Sequence, residues 1–491
     1  MQTPLHLTHL IGGEARPGVE GEMLPVHEPA TGATYAFCPD GNEDDVDAAV
    51  RAAEAAFEGW SSLPNDARAQ WLSRLADALE ARLEDFAQAE ARDAGKPLRL
   101  AREVEIPRAV ANLRFFASAA VQFASESHHG QAGLNYTLRQ PLGVVACISP
   151  WNLPLYLFTW KIAPALAAGN CVVAKPSEVT PVTAWMLGEL AREIGFPPGV
   201  LNIVHGPGPE VGKALVEHPA TKAVSFTGST AVGRQIAAHC GPALKKVSLE
   251  LGGKNPTLVF ADAFEDASGR DRMLETIVRS AFQNSGQICL CGSRILVERS
   301  AYAAFRDAFV ERARALRVGD PLDPSVDLGP LVSHAHRDKV LQCIAIARGE
   351  GGAVLCGGEA IRIEGRCENG WFVAPTVLDG LGPQCRSNID EIFGPVVTLQ
   401  PFDDEAHALA LANATPYGLS ASVWTQRLDR AHGLAARLRA GIVWINTWLM
   451  RDLRTPFGGV GQSGVGREGG FEAMRFFTEA KNVAVALPPP S

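Results

Sequence analysis

The sequence predicts an α/β protein in which two doubly wound parallel sheets pack across a cleft, with a small β extension attached. Three observations lead there. From Gly143 the chain alternates short β-rich runs with helical stretches, a second such series begins near Asn255, and a β-like run, Asn482–Leu487, closes the sequence. Strand–helix–strand alternation at this spacing implies βαβ crossovers and hence parallel pairing. A length of 491 residues leaves room for two to four domains.

Residues 43–124 read mainly as helix, opening at Asp45-Val46-Asp47-Ala48-Ala49-Val50 and running into an alanine-rich amphipathic stretch. The first α/β series then places strands at Val144–Ile148, Cys171–Ala174, Val200–Val204 and Ala223–Phe226. Helices fall between them at Leu155–Ala168, Thr183–Glu193 and Pro209–Glu217. The second series, to about Phe457, includes helix Met273–Gln283, strand Ser293–Val297, helix Tyr302–Leu316 and strand Ile442–Asn446. The terminal run Asn482–Leu487 has no evident partner nearby and is expected to pair with another subunit's sheet; Pro488-Pro489-Pro490-Ser491 follows it.

Composition narrows the class of function. Hydrophobic residues make up 46% and charged residues 20%, as in an ordinary globular protein. With 54 acidic against 45 basic residues the net charge is -9, a field that repels phosphate backbones and anionic membranes, so neither is an expected partner. The 10 cysteines form no paired C-x-x-C units, which argues against structural zinc, and no metal is expected. Free thiols in a reducing cytosol fit them best. The opening Met1-Gln2-Thr3-Pro4-Leu5-His6 lacks the basic and apolar regions of a signal peptide. The apolar stretch from Pro141 to Trp160 is broken by prolines and Asn152, so it reads as strand, turn and helix rather than a membrane span.

Several segments could carry chemistry. In Phe282-Gln283-Asn284-Ser285-Gly286-Gln287-Ile288-Cys289 a glycine after a helix lets the backbone turn and present Cys289 to a cleft. Such a cysteine is a nucleophile if its pKa is lowered or a base is near, and otherwise a buried thiol; Cys291 beside it is either a bystander or a redox partner. Glu250, between two leucines and ahead of Gly252-Gly253, suits a general base of raised pKa, or alternatively an ion pair with Lys254. In Pro150-Trp151-Asn152-Leu153-Pro154 the Asn152 amide offers donors for an oxyanion, or simply makes an Asx-turn. Ser225-Phe226-Thr227-Gly228-Ser229-Thr230 follows a strand and opens a helix, so Ser229 and nearby amides could hold a pyrophosphate or merely cap the helix. Gly206-Pro207-Gly208-Pro209-Glu210-Val211-Gly212 misses the dinucleotide spacing by one residue. Lys175-Pro176-Ser177-Glu178 follows another strand, where a lysine and a carboxylate suit ribose hydroxyls; the carboxylate disfavours a 2′-phosphate.

Together with Glu391-Ile392-Phe393-Gly394-Pro395, Pro456-Phe457-Gly458-Gly459 and Ser463-Gly464, these segments resemble the aldehyde dehydrogenase superfamily over nearly the whole chain and in the same order. The resemblance implies a Rossmann-like NAD-binding domain over 1–118 and 142–252, a catalytic domain over 253–457, and an oligomerisation extension over 119–141 and 472–491. It implies Cys289 as nucleophile, Glu250 as base for water, and Asn152 with the Cys289 N–H as oxyanion donors. It further implies NAD held by Trp151, Lys175, Ser177, Glu178, Gly228, Ser229, Gly233, Leu251, Glu391 and Phe393, and a cytoplasmic homodimer or homotetramer. Glu105-Ile106-Pro107-Arg108 and the charged Asn446-Thr447-Trp448-Leu449-Met450-Arg451-Asp452-Leu453-Arg454, with Trp151-Asn152-Leu153-Pro154-Leu155-Tyr156 and Cys289-Leu290-Cys291, resemble the branch that oxidises muconic semialdehydes, with an amino or hydroxy substituent. Such substrates carry a remote carboxylate, and Arg108 and Arg451 are expected to clamp it, with Arg454 and Arg114 as competitors. The alternatives are another small aldehyde, or transfer of the acyl group to coenzyme A.

Overall fold

The leading helical region resolves into helices Glu43–Ser61, Asn65–Ala81, Leu83–Ala94 and Ile106–Gln122 in a computed structural model, which describes residues 3–487. Met1, Gln2 and the proline end Pro488-Pro489-Pro490-Ser491 lie outside the described residues. The first helix starts at a capping box: the Asn42 side chain accepts from the Asp45 N–H, and the Asp45 carboxylate accepts from the Asn42 N–H. It buries Val46, Ala49, Val50 and Ala53, the spacing of one helical face. Between Gly95 and the Ile106 helix lies one π-turn, Ala101–Glu105, a feature often found beside functional sites.

The first α/β series forms the parallel centre of an 8-stranded sheet, in the order Lys246–Glu250, Thr221–Thr227, Val144–Ile148, Cys171–Lys175, Leu201–Ile203. Antiparallel edges come from Gly464–Val465 on one side and from His9–Ile11 and Glu14–Arg16 on the other. Its strands are buried on both faces, as the near-continuous apolar runs of a helix-covered parallel sheet require. The second series gives a 7-stranded sheet: Ala353–Cys356, Thr376–Asp379, Val396–Phe402, Arg294–Glu298, Pro256–Val259, Ser420–Trp424, Ile442–Ile445. Only its Ala353–Cys356 edge is antiparallel.

Two local expectations change. The predicted helix Pro209–Glu217 opens as a π-turn, Gly208–Gly212, before helix Lys213–Glu217. The terminal run is longer than expected, Thr478–Ala486, and has a partner within the chain: it pairs antiparallel with Gly133–Pro141, which also pairs with Ser127–Gly130. That pairing joins segments far apart in sequence, which local pattern cannot reveal. Among the described residues no helix is long and apolar enough to cross a membrane.

Candidate active site

In the first sheet the chain runs from Val144–Ile148 outward to one side, then returns to Thr221–Thr227 on the other. Where neighbouring strands lead off in opposite directions, their carboxyl ends leave a crevice. Pro150, Trp151 and Asn152 follow the first strand into it, and Gly228 and Ser229 follow the second. These residues line a cavity of about 240 Å³ with Leu251, Gly252, Glu391, Phe393 and Cys289.

Close backbone approach builds this cavity. A Cβ on Gly252 would lie 2.0 Å from a Glu391 oxygen, so any side chain there would displace that carboxylate. Glu391 then accepts from the Gly253 N–H at 2.9 Å. The Gly228 N–H donates to the Glu250 carbonyl, and Gly233 packs against Leu251. Ser229 caps helix Thr230–Cys240, accepting from the Val232 N–H at 3.3 Å. Phe393 has φ +59° and meets Trp151 edge-on at 5.3 Å. His336, which the sequence did not single out, fixes that turn by bonding the Phe393 carbonyl at 2.7 Å; burial pushes its pKa down to about 4, so the ring is neutral. Lys175, Ser177 and Glu178 continue from the next strand and lie outside this cavity's wall. Lys175 Nζ donates to Glu178 at 2.9 Å, and Ser177 Oγ accepts from the Val179 N–H. Burial raises the Glu178 carboxyl, but Lys175 and local hydrogen bonds bring it below its ordinary value.

The cysteine loop leaves helix Arg270–Phe282 through Asn284 and Ser285, both at φ +54°, and Gly286 at +71°. Non-glycine residues in that region cost about 1–3 kcal/mol each and persist only where surroundings hold them. Here Ser285 Oγ donates to the Gly329 carbonyl at 2.7 Å, and Asn284 Nδ2 to the Asn152 carbonyl at 3.1 Å. Gly286 sits so near Gly394 that a Cβ would lie 2.0 Å from its carbonyl oxygen. The turn thereby joins two motifs distant in sequence and delivers a half-buried Cys289.

Cys289 borders a second cavity, of about 60 Å³, whose wall includes Tyr156, Glu250, Arg451, Phe457 and Glu468. A larger outer groove of about 630 Å³ shares Val104 and Gln283 with it. The sulfur therefore stands between the two inner cavities. Of the two routes to reactivity left open by the sequence, a lowered pKa is absent: burial, then Glu250 and Glu391, push the Cys289 thiol well above its ordinary value. Cys291 is buried in the apolar core, its thiol pushed up to about 12 by burial, and forms no disulfide.

Asn152 makes no Asx-turn; its Nδ2 donates to the Gln287 carbonyl at 2.9 Å, two residues before the sulfur. Glu250 does not pair with Lys254. Both of its oxygens are buried without a hydrogen-bond partner, as is Lys254 Nζ. Burial and the nearby Glu468 raise the Glu250 carboxyl well above the usual carboxylate range. Glu468 is itself held by Lys161 at 2.7 Å and by Ser225 Oγ at 3.1 Å. The Pro456-Phe457-Gly458-Gly459 turn packs against the same carboxyl, a Cβ on Gly458 falling 2.7 Å from Glu250 Oε1. Ser463 Oγ donates to the Gly252 carbonyl, locking that turn to the Glu250 strand end.

Arg451 lines the second cavity, donating to Tyr156 OH at 3.1 Å and lying over the Phe457 ring at 4.1 Å. Arg108 stands behind Tyr156, 5.2 Å from its ring centre, and both guanidiniums approach Trp160. Arg108 Nη2 is buried with no partner, and burial together with Arg451 lowers its pKa. Among the described residues neither arginine has a carboxylate partner. The competitors do: Arg114 pairs with Asp77 and Glu80 on the surface, and Arg454 with Asp452.

The sequence reading gave no role of their own to Tyr156, Lys161, Glu468 and His336. A lysine inside the apolar helix Pro154–Ala167 was the available signal, since a buried ammonium requires a partner.

Known proteins resemble this chain over nearly its whole length. Residues 17–483 match the profile of the Aldehyde dehydrogenase family. A 2-aminomuconic semialdehyde dehydrogenase of Danio rerio is 50% identical over 485 residues, covering 98% of each chain. A 2-hydroxymuconic semialdehyde dehydrogenase of Pseudomonas sp. (strain CF600) is 44% identical over 488 residues, covering 98% of this chain and 99% of its own. The NAD+ complex of an aldehyde dehydrogenase from Bacillus cereus superposes with a TM-score of 0.94 at 38% identity, covering 98% of this chain and 97% of that one. With a cysteine set between two cavities, a buried carboxyl beside it, and that likeness from end to end, the chain belongs to the aldehyde dehydrogenase family.

Proposed function

We propose that this chain oxidises a semialdehyde with a remote carboxylate, a 2-aminomuconate or 2-hydroxymuconate 6-semialdehyde, to the dicarboxylic acid with NAD. The observation that carries the reading is Arg451 without an anion in the wall of a cavity that ends at Cys289, with Arg108, also without an anion, behind the Tyr156 ring of that wall. Arg108 Nε donates to Asn112 Oδ1 and Arg451 Nη1 to Tyr156 OH, so among the described residues each guanidinium keeps further donors with no carboxylate on them, and a planar carboxylate fits those.

In this reading Cys289 loses its thiol proton to solvent, the thiolate sulfur bonds to the aldehyde carbon, and the C=O π electrons move onto the carbonyl oxygen as an oxyanion. The Asn152 amide and the Cys289 N–H stabilise it; losing one such donor costs roughly 3–4 kcal/mol of barrier. NAD, when bound, supplies the acceptor for the hydride that leaves that carbon. A thioester remains on Cys289. Glu250, once ionised, takes a proton from water, the resulting hydroxide attacks the thioester, and the acid departs as the thiolate returns.

The residues present fit such a cofactor. Gly228 and Ser229 stand at the N-terminus of helix Thr230–Cys240, where amides favour pyrophosphate. Trp151, Leu251, Glu391 and Phe393 line the cavity that ends at Cys289, and Gly233 packs against Leu251; Lys175, Ser177 and Glu178 would hold the ribose hydroxyls. Because Glu178 is held ionised, Glu178→Gln is expected to shift the NAD-to-NADP ratio of kcat/KM toward NADP by about tenfold. An unchanged ratio would remove Glu178 from cofactor choice.

The domain division is part of the proposal: 1–118 with 142–252 for the cofactor, 253–457 for the catalytic loop, and 119–141 with 472–491 for assembly into a homodimer or homotetramer. Support for the last comes from the exposed face of the terminal strand Thr478–Ala486. All ten cysteines are free, which supports a cytoplasmic setting.

The decisive assay compares kcat/KM for both semialdehydes and for a neutral aldehyde of similar length. Arg451→Ala is expected to raise KM for the carboxylated substrates roughly ten- to hundredfold, the loss of one charged hydrogen-bonded contact, and to spare the neutral one. Equal damage to both would sink the clamp.

A further inference from the structure

Beneath the two cavities lies a buried charge cluster that the chemistry above leaves idle. Lys96 follows helix Leu83–Ala94 and is 1% exposed. Its ammonium pairs with Glu105, lies 3.6 Å from Glu90, and donates to the main-chain carbonyl of Asn152 at 3.1 Å. A buried ion pair stabilises a fold little better than apolar residues of equal volume, so packing alone gives no reason for it.

The geometry gives one. The Asn152 carbonyl has a second donor, Asn284 Nδ2, also at 3.1 Å, which comes from the cysteine loop. Asn152 is thus pinned through its backbone from both sides while its own amide faces the Gln287 carbonyl. Glu90 fixes the residues beyond: one oxygen accepts from the Leu155 N–H, the other from Thr183 Oγ1. Glu105 ends the π-turn Ala101–Glu105 and lines the inner cavity. One ammonium therefore joins the Asn152 peptide and the cavity wall, and shares its carbonyl acceptor with the loop that carries Cys289.

We propose that Lys96 is a positioning residue that sets the Asn152 amide at the site of the developing oxyanion. This rests on the reading of Asn152 as an oxyanion donor. A donor must sit about 3 Å from where charge forms, and a displacement near 1 Å costs up to about 100-fold in rate.

The test uses near-isosteric, charge-balanced pairs, because removing Lys96 alone would strand two buried carboxylates. Lys96→Met with Glu105→Gln is made in the wild-type and in the Asn152→Ala background. The rate of thioester formation is followed as the first-turnover release of NADH at saturating substrate, with NAD affinity and thermal unfolding as controls. The expected result is a fall of about 10- to 100-fold in the wild type but less than about threefold where Asn152 is already gone. Lys96→Gln with Glu105→Gln, which keeps a donor toward the Asn152 carbonyl at the same charge, is expected to recover part of the rate. An equal fall in both backgrounds, or no gain from glutamine over methionine, overturns the proposal. Should Asn152→Ala be slow while both paired variants run at wild-type rate, the proposal fails and the oxyanion reading stands. Should Asn152→Ala itself run at wild-type rate, that reading fails and takes the proposal with it.

Discussion

Cys289→Ala is expected to abolish NADH formation from every aldehyde, by roughly 10⁴-fold or more, while the protein still folds and binds NAD. An aldehyde has a hydride to give only after a nucleophile makes its carbon tetrahedral, and in this chain the sulfur between the two cavities is the group placed to do so. Removing one half-buried sulfur opens little space and costs on the order of 1 kcal/mol, so unfolding is no explanation for the loss. The same thiol carries a pH signature. Burial and then the Glu250 and Glu391 carboxyls raise it above its ordinary value, so the thiolate is scarcer at neutral pH than in a free cysteine. Alkylation of Cys289 by iodoacetamide in cofactor-free protein, followed by peptide mapping, is therefore expected to keep accelerating as pH rises beyond 8. A rate that levels off below pH 8 would mean an ionised resting thiol and contradict this environment.

Much of the fold was legible because its signals are local. Parallel strands buried on both faces read as short apolar runs, and helices between them supply the alternation; Val144–Ile148 and Cys171–Lys175 fall within a residue of expectation for that reason. The pairing of Thr478–Ala486 with Gly133–Pro141 was not legible, since a hydrogen-bonded ladder between distant segments leaves no periodic mark in either.

The candidate site divides along the same line. Cys289, Glu250 and Asn152 lie in motifs whose glycines and prolines announce unusual backbone. The structure explains those marks physically: Gly286 must clear the Gly394 carbonyl, and Gly252 must clear Glu391. What stayed hidden were side chains that act across elements. Tyr156 reads as one more aromatic on an apolar helix, yet its hydroxyl meets Arg451. Lys161 and Glu468 are far apart in sequence, and only the fold shows the ion pair that raises a negative charge beside Glu250. Arg108 and Arg114 occupy one helix and look alike in sequence; burial without an anion for the first and surface carboxylates for the second separate them.

Glu250→Gln is expected to leave the first half-reaction intact and stop the second. Rapid mixing with NAD and semialdehyde should give a burst of about one NADH per active site, followed by a steady rate lower by roughly 10²–10⁴-fold, the usual worth of a positioned base. The enzyme trapped in this state should carry the acyl mass on the Cys289 peptide. Glutamine keeps the volume of the carboxyl and removes its ability to ionise. That ability sets a direction for the pH profile. A carboxyl raised by burial and by Glu468 stays protonated above the usual carboxylate range, so thioester hydrolysis in the wild type climbs as pH rises through the raised pKa. The Gln variant should lose that climb. Coenzyme A should not restore turnover, because a site that keeps a buried carboxyl over the thioester is arranged for water; release of acyl-CoA instead would move the chain to the acylating branch. Glu250 lines the inner cavity and not the one bounded by Trp151 and Phe393, so NAD affinity should hold. A variant with a full steady rate would show that water is activated by another group.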